Sequence, residues 1–150
     1  MDIVDYTGKL NNHETYINVL NKIEPKCKYI EIVVVWGRKS NELVDKFSED
    51  ILTVNKVSKW WGTETRRTNY LYRINYSKEL FEYMRQFETF CKYHEYGSNK
   101  ESLRRGDYSE TTNFGIDDIA FYDKDDNYLL YTTTHEGYIS INNQIIKYCN

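Results

Sequence analysis

The amino-acid sequence predicts an α+β fold, in which a largely antiparallel sheet packs against two or three helices and ends in a β-meander. Three observations lead there. Two segments, 11–23 and 78–93, carry apolar residues at helical spacing, and several shorter segments alternate every second residue or run continuously apolar between turn residues. Helices and strands are also grouped instead of alternating regularly, which disfavours a doubly wound parallel sheet. A chain of 150 residues, 40% hydrophobic and with one proline, is the size of a single domain.

Taken in order, Asn11 is the candidate N-cap of the first helix, with Glu14 three residues on and Tyr16, Ile17, Leu20 and Ile23 on one face; Pro25 stops it. Tyr29 to Trp36 includes five consecutive apolar residues, Ile32 to Trp36, four of them β-branched, and reads as an internal strand buried on both faces. Ser40 to Phe47 fits a short helix presenting Leu43, Val44 and Phe47. Leu52–Trp60 and Arg67–Tyr76 alternate with period two around a turn at Gly62-Thr63-Glu64, which predicts a hairpin. Its second strand carries Thr68, Tyr70, Tyr72, Ile74 and Tyr76 on one face and Arg67, Asn69, Leu71, Arg73 and Asn75 on the other. Ser77 then caps a helix over Lys78–Tyr93, with Leu80, Met84, Phe87 and Cys91 as its stripe. Residues 95–114 are polar and aperiodic and read as a long exposed loop. Asp118–Tyr122, Tyr128–Thr133, Tyr138–Ile141 and Ile145–Tyr148 complete the chain as strands of a meander.

Composition narrows the class of function. The longest apolar run, Ile32–Trp36, and a mean hydropathy of -0.76 supply nothing near the roughly 20 apolar residues of a membrane span. Met1–Asp5 has no basic region leading into an apolar segment, so a cytoplasmic location is expected. Cys27, Cys91 and Cys149 are odd in number and far apart, which indicates neither a disulfide framework nor a zinc ribbon. Abundant Asn, Lys, Ile and Tyr beside a single alanine suggest an A/T-rich gene of the kind found in low-GC bacteria, phages and mobile defence islands. Net charge is -3, but residues 1–106 balance to +3 and residues 107–150 to -6. The acidic last third suits a basic protein partner better than nucleic acid.

No catalytic signature accompanies these features. Asp123, Asp125 and Asn127 have the first three spacings of a calcium loop, but Tyr128 and Thr134 stand where glycine and a bidentate glutamate are required, and a polar hairpin turn is favoured. His13, His94 and His135 each precede a glutamate, yet none forms H-E-x-x-H; no metal or other cofactor is expected. There is no nucleophile elbow, phosphate loop or dinucleotide fingerprint. His135 and Glu136 could join a dispersed catalytic site, although a structural network with Thr134 is the plainer reading. A second constellation, Trp60 and Trp61 with Arg66 and Arg67, resembles the aromatic and basic surfaces that hold single-stranded nucleic acid, with Lys100, Arg104 and Arg105 as further contacts. Against it, the alternation sends Arg67 to the face opposite Tyr70 and Tyr72, and the tyrosine face leads into a helix able to cover it.

Tyrosine, 15 of 150 residues, is the remaining excess. It supplies rigid amphipathic contact area with little entropy loss on binding, and the acidic last third holds six. Asp118-Ile119-Ala120-Phe121-Tyr122-Asp123, a polar turn, and Tyr128 through Gly137 resemble the C-terminal hairpin of small immunity proteins from bacterial polymorphic-toxin and contact-dependent-inhibition systems. The likeness covers about 20 residues and implies a non-enzymatic partner of a cognate toxin domain, such as a nuclease, occluding its active site. The expected contact residues are Asp117, Asp118, Tyr122, Asp123, Asp125, Asp126, Tyr128, Tyr131 and Glu136. A phage-encoded inhibitor of a host defence enzyme would use the same physics, and a strand edge or tyrosine patch would also allow two copies to pair.

Overall fold

The computed structural model describes residues 3–5, 12–34, 42–61, 63–90, 116–134 and 138–146. They form an α+β fold built on a curled, seven-stranded antiparallel sheet. The strands are β1 (Ile3–Asp5), β2 (Tyr29–Val34), β3 (Ile51–Trp60), β4 (Thr63–Asn75), β5 (Asp118–Tyr122), β6 (Tyr128–Thr133) and β7 (Tyr138–Asn142), and the helices are α1 (His13–Ile23), α2 (Glu42–Lys46), α3 (Lys78–Met84) and α4 (Asn143–Ile146). Their spatial order is β1-β7-β6-β5-β2-β4-β3, so β5, β6 and β7 are the expected meander and β3 is an edge. Among the described residues no helix is long and apolar enough to cross a membrane.

Helix α1 begins one residue later than the sequence predicts. Asn12, with extended backbone, accepts from the Thr15 N–H at 3.2 Å and is the N-cap in place of Asn11. The helix buries Tyr16, Val19, Leu20 and Ile23 completely, each contributing about 1.5–3 kcal/mol. Pro25 then occupies the start of a 3₁₀ turn, Glu24–Lys26, where its missing N–H costs no hydrogen bond. Helix α3 is capped by Ser77, whose hydroxyl accepts from the Leu80 N–H at 3.1 Å. It ends at Met84, short of the expected Tyr93, because Gln86 and Phe87 donate to carbonyls three residues back and tighten the last turn. Phe90 nevertheless returns to the core, with its ring 4.8 Å from that of Tyr16. Cys91 and the loop expected at 95–114 lie outside the described residues, as do 35–36 of the expected internal strand and 40–41 of the expected short helix.

The core lies between the helices and one face of the sheet. Registers Ile30↔Ile74, Ile30↔Phe121, Phe121↔Leu130 and Leu130↔Ile141 line up one apolar row across five strands. Tyr76, at the end of the tyrosine face of β4, packs against Phe81 with centroids 5.6 Å apart and donates its hydroxyl to Glu24 at 2.6 Å. Two turns differ from expectation. Thr63 and Glu64 pair with Trp60 and Lys59 inside the ladder, so only residues 61–62 connect β3 to β4. Residues 143–146 are helical although a strand is expected from Ile145 onward, since the Asn142 side chain accepts from the Gln144 N–H at 2.9 Å and turns the chain. The outer ladder of β7 is filled by β1, with Val4 opposite Ile141.

Candidate protein-docking face

The sheet face opposite α1 and α3 carries a polar and aromatic cluster assembled from four strands. Period-two alternation puts Tyr29 and Glu31 on the same face of β2, and register places Glu31 beside Arg73 of β4 and Tyr29 beside Tyr122 of β5. The Arg73 guanidinium lies 4.2 Å from the Tyr29 ring centroid and 5.4 Å from that of Tyr122. It donates to Glu31 Oε2 at 3.3 Å and to Asp126 Oδ1, while Tyr122 donates its hydroxyl to Glu31 Oε1 at 2.6 Å. Partial burial works against the Arg73 charge, but the bonds to Asp126 and Glu31 outweigh it and hold the guanidinium protonated beyond its ordinary range. Burial, followed by the bond to Glu31, pushes the Tyr122 phenol well above its usual value. Sequence reading assigns Arg73 only to a solvent face and gives Tyr29 and Glu31 no role; the signal available was their shared parity on β2.

A β-bulge extends the cluster onto β6. Phe121 pairs with Leu130, but Tyr122 pairs with Tyr128, so Leu129 is an extra residue. Without it Tyr128 and Tyr131, three residues apart, would point to opposite faces. With it Leu129 and Leu130 are both buried, and Tyr128 and Tyr131 lie together with centroids 4.9 Å apart; Tyr122 and Tyr128 are also 4.9 Å apart. Tyr128 and Tyr131 are half-buried, and each leaves part of its ring at the surface.

The row ends at the β5–β6 turn. Asp123 Oδ1 accepts from the N–H groups of Asp125 and Asn127, both at 2.9 Å, and Oδ2 from the Asn127 amide at 3.3 Å. Slight burial opposes the Asp123 charge, but these bonds hold its carboxyl below the ordinary range. Asp126 adopts φ 62°, a left-handed conformation that Asp tolerates better than most residues. Asp125 and Asp126 are exposed. A cleft of about 590 Å³ on the other side of the turn mixes Lys26, Lys28 and Lys124 with Asp123 and Asp125, so it concentrates neither sign of charge.

Two of the expected contact residues lie inside the protein. Asp118 is 2% exposed and Tyr122 7%, a correction to their assignment as surface contacts. Asp118 accepts from Trp60 Nε1 at 2.6 Å, Thr132 Oγ1 at 3.0 Å and the Thr134 N–H at 2.7 Å. Burial raises its carboxyl above the ordinary value despite these donors. Trp61 Nε1 donates to the Thr132 carbonyl at 2.8 Å, so both indoles fasten the tip of the β3–β4 hairpin to β5 and β6. Trp60, 7% exposed, leaves no ring face for a base to stack on, which corrects its expected place in a nucleic-acid surface. Arg66 is exposed, whereas the Arg67 side chain, Lys100, Arg104, Arg105, His135 and Glu136 lie outside what is described. Asp117 is half-buried, and its N–H donates to the Val33 carbonyl at 2.8 Å. Among the described residues no three His, Cys, Asp or Glu side chains gather as a metal-binding group. Comparison of the chain with family models, curated protein sequences and solved structures returns no match.

Proposed function

We propose that the protein is a non-enzymatic inhibitor of the immunity-protein kind, acting in the cytoplasm on a cognate toxin domain whose contact surface is basic. The observation that carries this reading is the packed row Tyr122–Tyr128–Tyr131, ending on a turn that exposes Asp125 and Asp126. The half-exposed tyrosines are held by ring packing, so little side-chain entropy remains to be lost on binding. The acidic turn steers a basic partner toward them. Arg73 pairs with Glu31 beneath the row and with Asp126 on the turn, and Asp123, Asp125 and Asp126 still outnumber Lys124 there, so the turn end of the surface stays acidic. A nuclease, basic where it holds its substrate, is the partner class that such a surface would occlude.

The test begins with affinity capture of the tagged chain from its source bacterium and a reading of the adjacent open reading frame. A stoichiometric toxin-like partner encoded beside it is the expected result, and binding kinetics with that purified partner follow. Asp125→Lys should slow association several-fold, with the deficit shrinking at high salt. Tyr131→Ala should speed dissociation about tenfold or more, as for a central aromatic contact. Recovery of nucleic acid without a protein partner would overturn the proposal.

A further inference from the structure

We propose that the cleft beside the β5–β6 turn is a binding site for a small zwitterion with an apolar side chain, of the size of a dipeptide. Its volume of about 590 Å³ falls within the range of small-molecule sites. Three separate stretches of chain wall it: residues 25–28, which lead into β2, the turn at 123–127, and residues 142–145, where β7 passes into α4. Leu129 reaches it from β6 as the extra residue of the bulge, so the irregularity that gathers the tyrosines on one face also gives the cleft an apolar side chain. Ile145 supplies a second.

Each wall is fixed by its own hydrogen bonds. The Lys28 N–H donates to the Tyr122 carbonyl at 2.8 Å, and the Asp123 N–H to the Asn127 carbonyl at 3.0 Å. Asn142 donates its amide to the Tyr128 carbonyl at 3.2 Å and accepts from the Gln144 N–H at 2.9 Å. A preformed site loses little binding energy to ordering. The charges are divided between two of the walls. Lys26 and Lys28, both exposed, stand on the first. On the second, Asp123 already accepts from two backbone N–H groups and the Asn127 amide, and Lys124 lies in its field, so exposed Asp125 is the carboxylate left to meet a cation. A polyanion would be repelled by Asp125 and a polycation by the lysines. A carboxylate for Lys26 and Lys28 and an ammonium for Asp125, joined by an aliphatic side chain over Leu129 and Ile145, satisfy the whole lining. This inference does not rest on the proposed inhibitor function.

Titration of the isotopically labelled full chain with leucyl-leucine, followed by amide NMR shifts up to about 10 mM, tests it. Shifts at Lys28, Asn127 and Gln144 should saturate with a dissociation constant below about 1 mM. N-acetyl-leucyl-leucine, which lacks the ammonium, and leucyl-leucinamide, which lacks the carboxylate, should each bind about fivefold more weakly, and glycyl-glycine about tenfold. Asp125→Asn should weaken leucyl-leucine about fivefold while leaving N-acetyl-leucyl-leucine unchanged, and Lys26→Gln with Lys28→Gln should do the same for leucyl-leucine and leucyl-leucinamide. These positions are exposed, and the amide spectrum itself confirms that each variant is folded. An absence of saturable shifts around the cleft, equal affinity for leucyl-leucine and its two singly charged analogues, or an Asp125→Asn variant that loses the acetylated peptide as strongly as the zwitterion would each overturn the proposal.

Discussion

Replacing Asp118 tests how the hairpin tip is fastened to the rest of the sheet. The carboxylate accepts three buried hydrogen bonds, from Trp60, Thr132 and Thr134. Asp118→Ala strands those donors, and an unsatisfied buried donor costs about 1–3 kcal/mol. Removing a carboxylate that burial disfavours returns part of the loss. The net cost should be about 3–4 kcal/mol. Asp118→Asn keeps one carbonyl oxygen but turns an N–H₂ toward a donor, so it should cost about 1–3 kcal/mol. The pH dependence separates this carboxyl from a merely well-packed side chain. Its folded pKa is raised above the ordinary 3.8, so ionisation is harder in the native state than in the unfolded chain. Its contribution is therefore most favourable below 3.8 and declines as pH rises from there through the folded pKa. Urea unfolding followed by circular dichroism between pH 3.5 and 7 gives the difference between the protein and Asp118→Asn. A loss below about 1 kcal/mol for the alanine variant would refute the reasoning. So would a difference between the protein and the asparagine variant that does not narrow as pH rises.

Arg73→Ala removes the cationic partner of Glu31, whose side chain is only 16% exposed, and should lower stability by about 2–3 kcal/mol; a urea midpoint unchanged from the parent would refute the role assigned to Arg73. Tyr16→Phe loses the buried hydroxyl bond to the Met84 carbonyl and should cost about 1 kcal/mol, whereas Leu20→Ala should cost about 2–5 kcal/mol, both read from chemical denaturation. Burial pushes the Cys27 thiol up to about 12, so at pH 8 a maleimide should leave the Cys27 peptide unmodified in the native protein and label it in urea, as read by peptide mass spectrometry. Partial burial opposes the Glu24 charge, but bonds from Tyr76 and Arg85 hold its carboxyl below 4.5; its contribution is present above that value and lost as pH falls through the folded pKa, so Glu24→Gln should lose this acid sensitivity in the same titration.

Local patterns in the sequence determined the element types. Asn and Ser before apolar stripes mark the starts of α1 and α3 to within a residue, because an N-cap needs only its own side chain and the next turn. The β3–β4 hairpin and the β5–β6–β7 meander are legible from period-two alternation and turn residues, and so is the acidic character of the last third. Where a segment's structure depends on a remote partner, local pattern is silent. Residues 145–146 have strand-like composition yet are helical, and β1 gains a place in the sheet only because β7 offers it a ladder. The candidate site divides along the same line. Sequence singled out Tyr122, Asp126, Tyr128 and Tyr131, but tertiary packing decided that Asp118 and Tyr122 are buried by the side chains around them and that Arg73 reaches from β4 to join Glu31 and Asp126. The bulge at Leu129 is the clearest case. Alternation along one strand would separate Tyr128 from Tyr131, and only the register against β5 reveals the extra residue that brings their rings together.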